Sequence, residues 1–228
     1  MGALSGEMLL RAWEASRELP DQEAALAVLA LAWPKRARSE WAEMALGERN
    51  AMLLELRAAT LGRRMEGFAE CPACGALLEF ALDAAELEGQ LRAQLAAVAE
   101  SGQELARPAN TADLIAASAA EDEEQAGAIL LARTMKQDGD DAGEGALERF
   151  ERINGAAEIR VELACSECRA RPAMDLDIAR FLLRELGAAA RRLMREIHEL
   201  ASAYGWSERA IVAMSAARRG AYLEMLSI

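Results

Sequence analysis

Four cysteines are the residues whose type and spacing could do chemistry in this chain. They fall into two tight pairs, Cys71 and Cys74 in "AECPACGALLEF" and Cys165 and Cys168 in "ELACSECRA", with ninety residues between the pairs. Two residues between cysteines is the spacing at which a tight turn aims both sulfurs at one metal ion. Gly75 follows the first pair and suits such a knuckle, because glycine accepts the backbone geometry that the turn needs. Arg169 stands at the matching place of the second pair. Two knuckles together make a tetrahedral four-thiolate set, which suits zinc and leaves no open coordination position. Metal binding of this kind contributes ~10–16 kcal/mol in small peptides at neutral pH, enough to hold short strands that could not hold themselves.

Three other thiol chemistries compete with this reading. Disulfides are rare in a reducing cell interior, where thiols and metal ligands dominate. A thioredoxin-like redox site needs one CxxC at a helix start beside a βαβ unit, and neither pair has that setting. An iron–sulfur cluster is chemically open to four thiolates, but knuckles flanked by strands favour zinc. One structural zinc ion on Cys71, Cys74, Cys165 and Cys168 is therefore the expected cofactor. No catalytic set accompanies it. The lone histidine, His198, lies in a long helical stretch with no CxxC or nucleophile near it, and it reads as packed or surface-lying rather than ligating. Phosphate-loop, GxSxG and HExxH motifs are all missing, so the expectation is a non-enzyme without a small-molecule substrate.

The elements that must position these cysteines are mainly helical. Aromatics are few and alanine is abundant, and alanine loses little entropy on entering a helix. "SGEMLLRAWEASREL" ends before Pro20, and "DQEAALAVLALAW" runs from there to Pro34. A third helix, about Leu46–Leu61, places Leu46, Leu53, Leu56 and Thr60 on one face, with Gly62 as its C-terminal cap. Around the cysteines the period drops to two: Leu78, Phe80 and Leu82, then Ile159, Val161 and Leu163, then Met174 and Leu176 alternate with polar or small residues. Between the pairs lies a helical insertion, about 84–157. It contains "DAAELEGQLRAQLAAVAE", a turn near Ser101–Gly102, "RPANTADLIAASAA" with Asn110 or Thr111 as N-cap, "DEEQAGAILLARTM", and a glycine-rich acidic loop "KQDGDDAGEGA". From Asp177, apolar residues recur every three or four positions as far as Tyr204, a helix of ~40 Å. Gly205 stops it, and Ser207 and Ser215 can cap two short helices that fold back on it.

The expected fold is thus mainly α with a small β zinc-ribbon-like element. Three regions follow: helical residues 1–64, a zinc-ribbon-like module with its acidic insertion over 65–177, and C-terminal helices over 178–228. No apolar run is long enough to span a bilayer, and no basic flank precedes an apolar run at the start. The expectation is a cytoplasmic protein with no signal peptide and no membrane partner. The net charge of −12 is unevenly spread, since residues 71–163 hold 7 basic and 19 acidic side chains. A middle segment with that field would repel a nucleic-acid backbone, so no nucleic-acid partner is expected.

A job for such a protein is suggested by its longer blocks. "FLLREL" (181–186), "REIHELASAYGWSE" (195–208) and "MSAARRGAYLEML" (214–226) resemble the baseplate hub assembly chaperones of T-even-type contractile tails and related phage-tail-like injection systems. The likeness extends to "LGERNAMLLELRAATLG" (46–62), the "CPACG" and "CSEC" pairs and "RPANTADL" (107–114), in that order along the chain. It implies a tail-assembly protein that binds baseplate hub or spike proteins, with no catalytic residues, in the cytoplasm or incorporated in a phage-tail-like particle. Tyr204, Trp206, Arg218, Arg219 and Tyr222 are residue types enriched at interface hot spots and make a candidate partner surface. Tyr204 and Trp206 could instead plug the turn between two packed helices. The alternative job is that of a zinc-ribbon adaptor in a nucleic-acid or transcription complex.

Overall fold

A computed structural model describes residues 2–100, 106–135 and 146–226. The chain begins with four helices, α1 (Glu7–Ser16), α2 (Asp21–Ala32), α3 (Arg38–Glu43) and α4 (Leu46–Leu61). Two strands follow, β1 (Arg64–Glu70) and β2 (Leu77–Asp83), and then α5 (Ala84–Glu100), α6 (Thr111–Ala117), α7 (Glu123–Thr134) and α8 (Ala146–Gly155). The second strand pair, β3 (Arg160–Glu162) and β4 (Ala173–Asp175), leads into α9 (Ile178–Tyr204), α10 (Glu208–Val212) and α11 (Ala216–Leu226). Among the described residues the protein is mainly helical, with two small antiparallel sheets, β1–β2 and β3–β4.

One apolar core joins the two ends of the chain. The α2 sequence is apolar nearly all round and lies inside, burying Leu26, Val28 and Leu29. Against it packs α9, whose three-to-four periodicity turns Ile178, Leu182, Leu186, Leu193, Ile197 and Leu200 inward and its charges outward. Gly187 is buried where α9 passes α1, and a Cβ there would sit 3.9 Å from Trp13 Cδ1. Buried Leu53, Leu54 and Leu56 of α4 complete the cluster, so α4 buries a wider arc than one leucine face. Thr60 accepts a hydrogen bond from the Leu4 N–H at 3.0 Å.

A polar joint fixes α4 to α9. Arg57 is 2% exposed and forms a two-pronged pair with Glu185 of α9, Nε to Oε2 at 2.9 Å and Nη2 to Oε1 at 2.7 Å. Its remaining nitrogen donates to the Gly62 carbonyl, at the cap where α4 ends with φ +91°. A buried guanidinium is costly unless every edge finds an acceptor, and here its prongs do.

The insertion does not stand away from this core. α5 lies along α4, with Leu95 directly against Gly47, where any Cβ would come within 2.3 Å of Leu95 Cδ2. The stretch from Arg107 to Asp113 docks α6 beneath α2 and α3. Asn110 is its N-cap, accepting from the Asp113 N–H at 3.0 Å while Asp113 accepts from the Asn110 N–H, a reciprocal capping box. Asp113 is wholly buried and held by Arg107 (2.7 Å) and Arg133 (2.8 Å). Thr111 accepts from Arg49 of α4 at 3.0 Å, and the Leu46 N–H donates to the Ala109 carbonyl at 2.9 Å.

Sequence periodicity missed three elements. α3 is too short to show a period and is held by Trp41, 1% exposed beneath the Arg36 guanidinium. β1, "RMEGFAE", has few strand-forming residues and is extended because it pairs with β2 across the first knuckle. α8 starts at the final alanine of the acidic "KQDGDDAGEGA" stretch. Residues 136–145 of that stretch, like the turn expected at Ser101–Gly102, lie outside the described residues.

Candidate metal centre

Each cysteine pair sits in the turn of a strand hairpin, and the two turns are built alike. In the first, the Cys71 N–H donates to Ala76 O at 2.8 Å and the Gly75 N–H donates to Cys71 O at 2.8 Å. In the second, the Cys165 N–H donates to Ala170 O at 2.9 Å and the Arg169 N–H donates to Cys165 O at 3.0 Å. The residue after each pair is left-handed, Gly75 at φ +73° and Arg169 at φ +63°. Arg169 is the one non-glycine residue with positive φ among those described. The second knuckle therefore adopts the glycine geometry without the glycine.

The hairpins meet face to face and bring all four sulfurs within 4.8 Å of one another. Cys71 Sγ lies 3.7 Å from Cys168 Sγ, and Cys74 Sγ lies 3.7 Å from Cys165 Sγ. A disulfide would need ~2.05 Å, so these are free thiols. Four sulfurs on one tetrahedral ion at ~2.3 Å would lie about 1.63 bond lengths, or ~3.75 Å, apart. The two 3.7 Å separations fit that edge, and the other sulfur pairs lie within 4.8 Å. A multinuclear cluster would place its cysteines on separate irons and hold them farther apart.

Each pair has one inner and one outer member. Cys71 and Cys165 are buried and join Leu78 and Leu163 in a small satellite core, while Cys74 and Cys168 face outward. An isolated two-stranded hairpin is marginal in water, and four buried side chains do little to change that. The thiols also perturb one another. At Cys74 the Ala76 N–H favours the thiolate, yet the hydrogen bond with Cys168, burial, and the contacts with Cys165 and Cys71 outweigh it and push the thiol up to about 12. At Cys165 the Cys168 N–H leads, helped by the Glu167 N–H and opposed by burial, and lowers the thiol to about 7. Cys74 thus holds its proton where Cys165 gives its own up more readily. A bound cation would remove that obstacle and release the protons.

The four sequence-predicted ligands are brought together, and the arrangement is compatible with a metal site. His198 is elsewhere, exposed on α9. The five aromatic and arginine residues singled out near the C-terminus also meet, but around each other. Tyr204 stacks on Trp206 at 4.5 Å, Tyr222 stands edge-on to Trp206 at 4.8 Å, and Arg218 lies 5.8 Å over the Tyr222 ring. Arg219 is buried, bonding Glu196 and the Met214 carbonyl, each at 2.7 Å. These rings fill the angle between α9 and α11. Asp113 and its two arginines were not anticipated, although the Asn-x-x-Asp spacing at 110–113 carries the capping signal that could have marked them. No helix among the described residues is long and apolar enough to cross a membrane. No protein-family model, curated protein or solved structure matches the chain.

Proposed function

We propose that this chain is a non-enzymatic assembly factor or structural component of a contractile-tail or injection-system baseplate, binding hub or spike proteins and held together by one structural zinc ion. The observation that carries the zinc half is the four-thiol cluster, with all sulfurs within 4.8 Å and two pairs at 3.7 Å, which suits a tetrahedral ion with no position left for a reacting water. Zinc prefers such a set, and a site closed on four sides serves folding rather than catalysis.

Support for the assembly half is the ordered sequence blocks, together with their place in the fold. "RPANTADL" supplies the buried Asp113 joint that docks the insertion, "LGERNAMLLELRAATLG" supplies α4, and "ASAYGWSE" supplies the aromatic knot that ends α9. Those blocks are the joints of the molecule, as expected where a family shares a framework. Zinc-ribbon adaptors of nucleic-acid complexes remain a second reading, supported by the paired hairpin knuckles.

The test has two parts. Metal analysis of the purified protein is expected to find one zinc per chain and no titratable free thiol until the metal is chelated. Co-purification with separately expressed spike and hub proteins of a contractile tail is expected to recover a stoichiometric complex. Failure to bind any tail component, with binding to duplex or single-stranded DNA instead, would replace this reading by the second.

A further inference from the structure

Between α9 and the two hairpins opens a groove of about 1170 Å³. Small-molecule sites enclose ~300–1,000 Å³ and bury most of their ligand, so an open trough of this size is better suited to a polypeptide. Its floor is apolar, formed by Trp13, Phe80 and Phe181. On one side stands Phe68 of β1, 65% exposed, an unusual position for a large ring without a partner.

The other wall is charged. Arg180, Arg184 and Arg191 are spaced four and seven residues apart, which places them on one face of α9, and all three are exposed. None of them has an ion-pair partner among the described residues. The groove's carboxylates, by contrast, are mostly engaged. Glu185 is held by Arg57, Glu66 lies 2.6 Å from Arg64, Asp175 lies 3.3 Å from Arg160, and Asp177 caps α9 through the Arg180 N–H. In a chain of net charge −12, this wall offers uncompensated positive charge.

The β1 wall offers something further. Its antiparallel register with β2, anchored by Cys71 N–H to Ala76 O and Ala84 N–H to Arg63 O, points the backbone of the odd-numbered residues at β2. The N–H and C=O groups of Glu66 and Phe68 therefore point away, along the open edge that lines the groove. Among the described residues they have no backbone partner. An unpaired edge beside an apolar floor is the arrangement used for strand addition.

We propose that this groove docks an extended acidic segment of a partner protein, which adds as a strand to the free edge of β1 and sets its carboxylates against Arg180, Arg184 and Arg191. Alternate residues of that segment are apolar and cover the floor of Phe80 and Phe181, on the sheet face opposite Phe68. A nucleic acid would match the arginines but could not satisfy a strand edge. The inference is independent of the contractile-tail reading, because it is tested with a synthetic probe and not with hub proteins.

The probe is a fluorescein-labelled ten-residue peptide alternating glutamate with valine and phenylalanine, titrated against the full metal-loaded chain by fluorescence polarisation. Saturable binding is expected, about tenfold weaker for the double variant Arg180→Ala/Arg184→Ala, since partly desolvated ion pairs are worth more than rim ones. Glu66→Pro removes one outward N–H while leaving the inward ladder intact, and is expected to weaken binding similarly with unchanged melting temperature. Should that variant misfold, N-methylation of alternate peptide bonds in the probe removes the same hydrogen bonds without touching the protein. The proposal is overturned by no binding, by binding indifferent to these changes, or by equal binding of a lysine-for-glutamate peptide or an oligonucleotide. It is overturned equally if sedimentation shows a dimer that Glu66→Pro dissolves, because the edge would then belong to a second copy.

Discussion

Replacing Arg169 by glycine is expected to strengthen the metal-held module, and the structure allows the size of the gain to be worked out. Arg169 sits at φ +63° in a knuckle whose twin uses Gly75 at φ +73°. A left-handed conformation costs a residue with a Cβ ~1–2 kcal/mol. Glycine escapes this cost but loses ~0.4–1 kcal/mol through its freer unfolded chain. The Arg169 side chain is exposed and has no ion pair among the described residues, so little else is lost. Net stabilisation of ~0.5–1 kcal/mol follows, equivalent to ~1–4 °C in melting temperature for a chain of this size. The mirror experiment is Gly75→Ala. A Cβ at Gly75 meets only Glu70 Oε1 at 3.6 Å, an ordinary contact, so its cost of ~1 kcal/mol isolates the backbone term. Urea denaturation of the zinc-loaded protein, with metal affinity measured by competition with a chelator, reads both. If Arg169→Gly left stability and metal affinity unchanged while Gly75→Ala lowered them, the two knuckles would not be equivalent and the reasoning would fail.

Cys71→Ser is expected to abolish stoichiometric metal binding and release the hairpins, while far-UV circular dichroism keeps most of its helical signal. Collapse of the whole helical signal would show that the core around α2 and α9 depends on the ribbon. Asp113→Ala should cost ~2–3 kcal/mol in chemical denaturation, because it removes the buried acceptor of the α6 cap and of two arginines that are themselves partly solvated. The pH dependence has a definite sign. Burial disfavours the Asp113 carboxylate, but Arg107, the Asn110 N–H and Arg133 outweigh it and lower its pKa to about 2. Its contribution is therefore fully present above ~4 and is lost as pH falls from there through about 2, a window that should vanish in Asp113→Asn. Trp206→Ala removes a half-buried ring stacked on Tyr204 and should lower stability by ~2–3 kcal/mol. An unchanged melting temperature with lost partner binding would instead make that ring an interface residue.

The parts of this protein legible in its sequence were those with a period or a stop signal. α4 runs from Leu46 to Leu61 and α9 from Ile178 to Tyr204, where the apolar spacing and the glycines at 62 and 205 place them. The four cysteines were legible because spacing and chemistry agree. What stayed hidden depends on partners distant in sequence. β1 is extended because residues 77–83 pair with it, and nothing in "RMEGFAE" alone demands that. The Arg57–Glu185 pair joins residues 128 positions apart. Asp113 looked like one more charge in an acidic insertion, yet it is wholly buried and meets arginines from either side. Composition gave its sign and only packing gave its place.

The insertion is consequently fixed at two independent levels. At its base the metal would lock the hairpins through which residues 84–157 leave and re-enter. Further out, Arg107, Asp113 and Arg133 close on one another while Thr111 reaches Arg49 of α4. These two attachments differ in chemistry, one thiolate and one carboxylate, and so respond to different perturbations. Chelation at neutral pH should free the hairpins and leave α6 docked, whereas acid should protonate Asp113 and the thiolates alike. Hydrogen exchange of the metal-free protein at neutral pH separates the two. Protection is expected to fall in β1–β4 and to persist in α6 and α4. If α6 lost protection together with the strands, the carboxylate joint would be a consequence of the metal site, and the two attachments would be one.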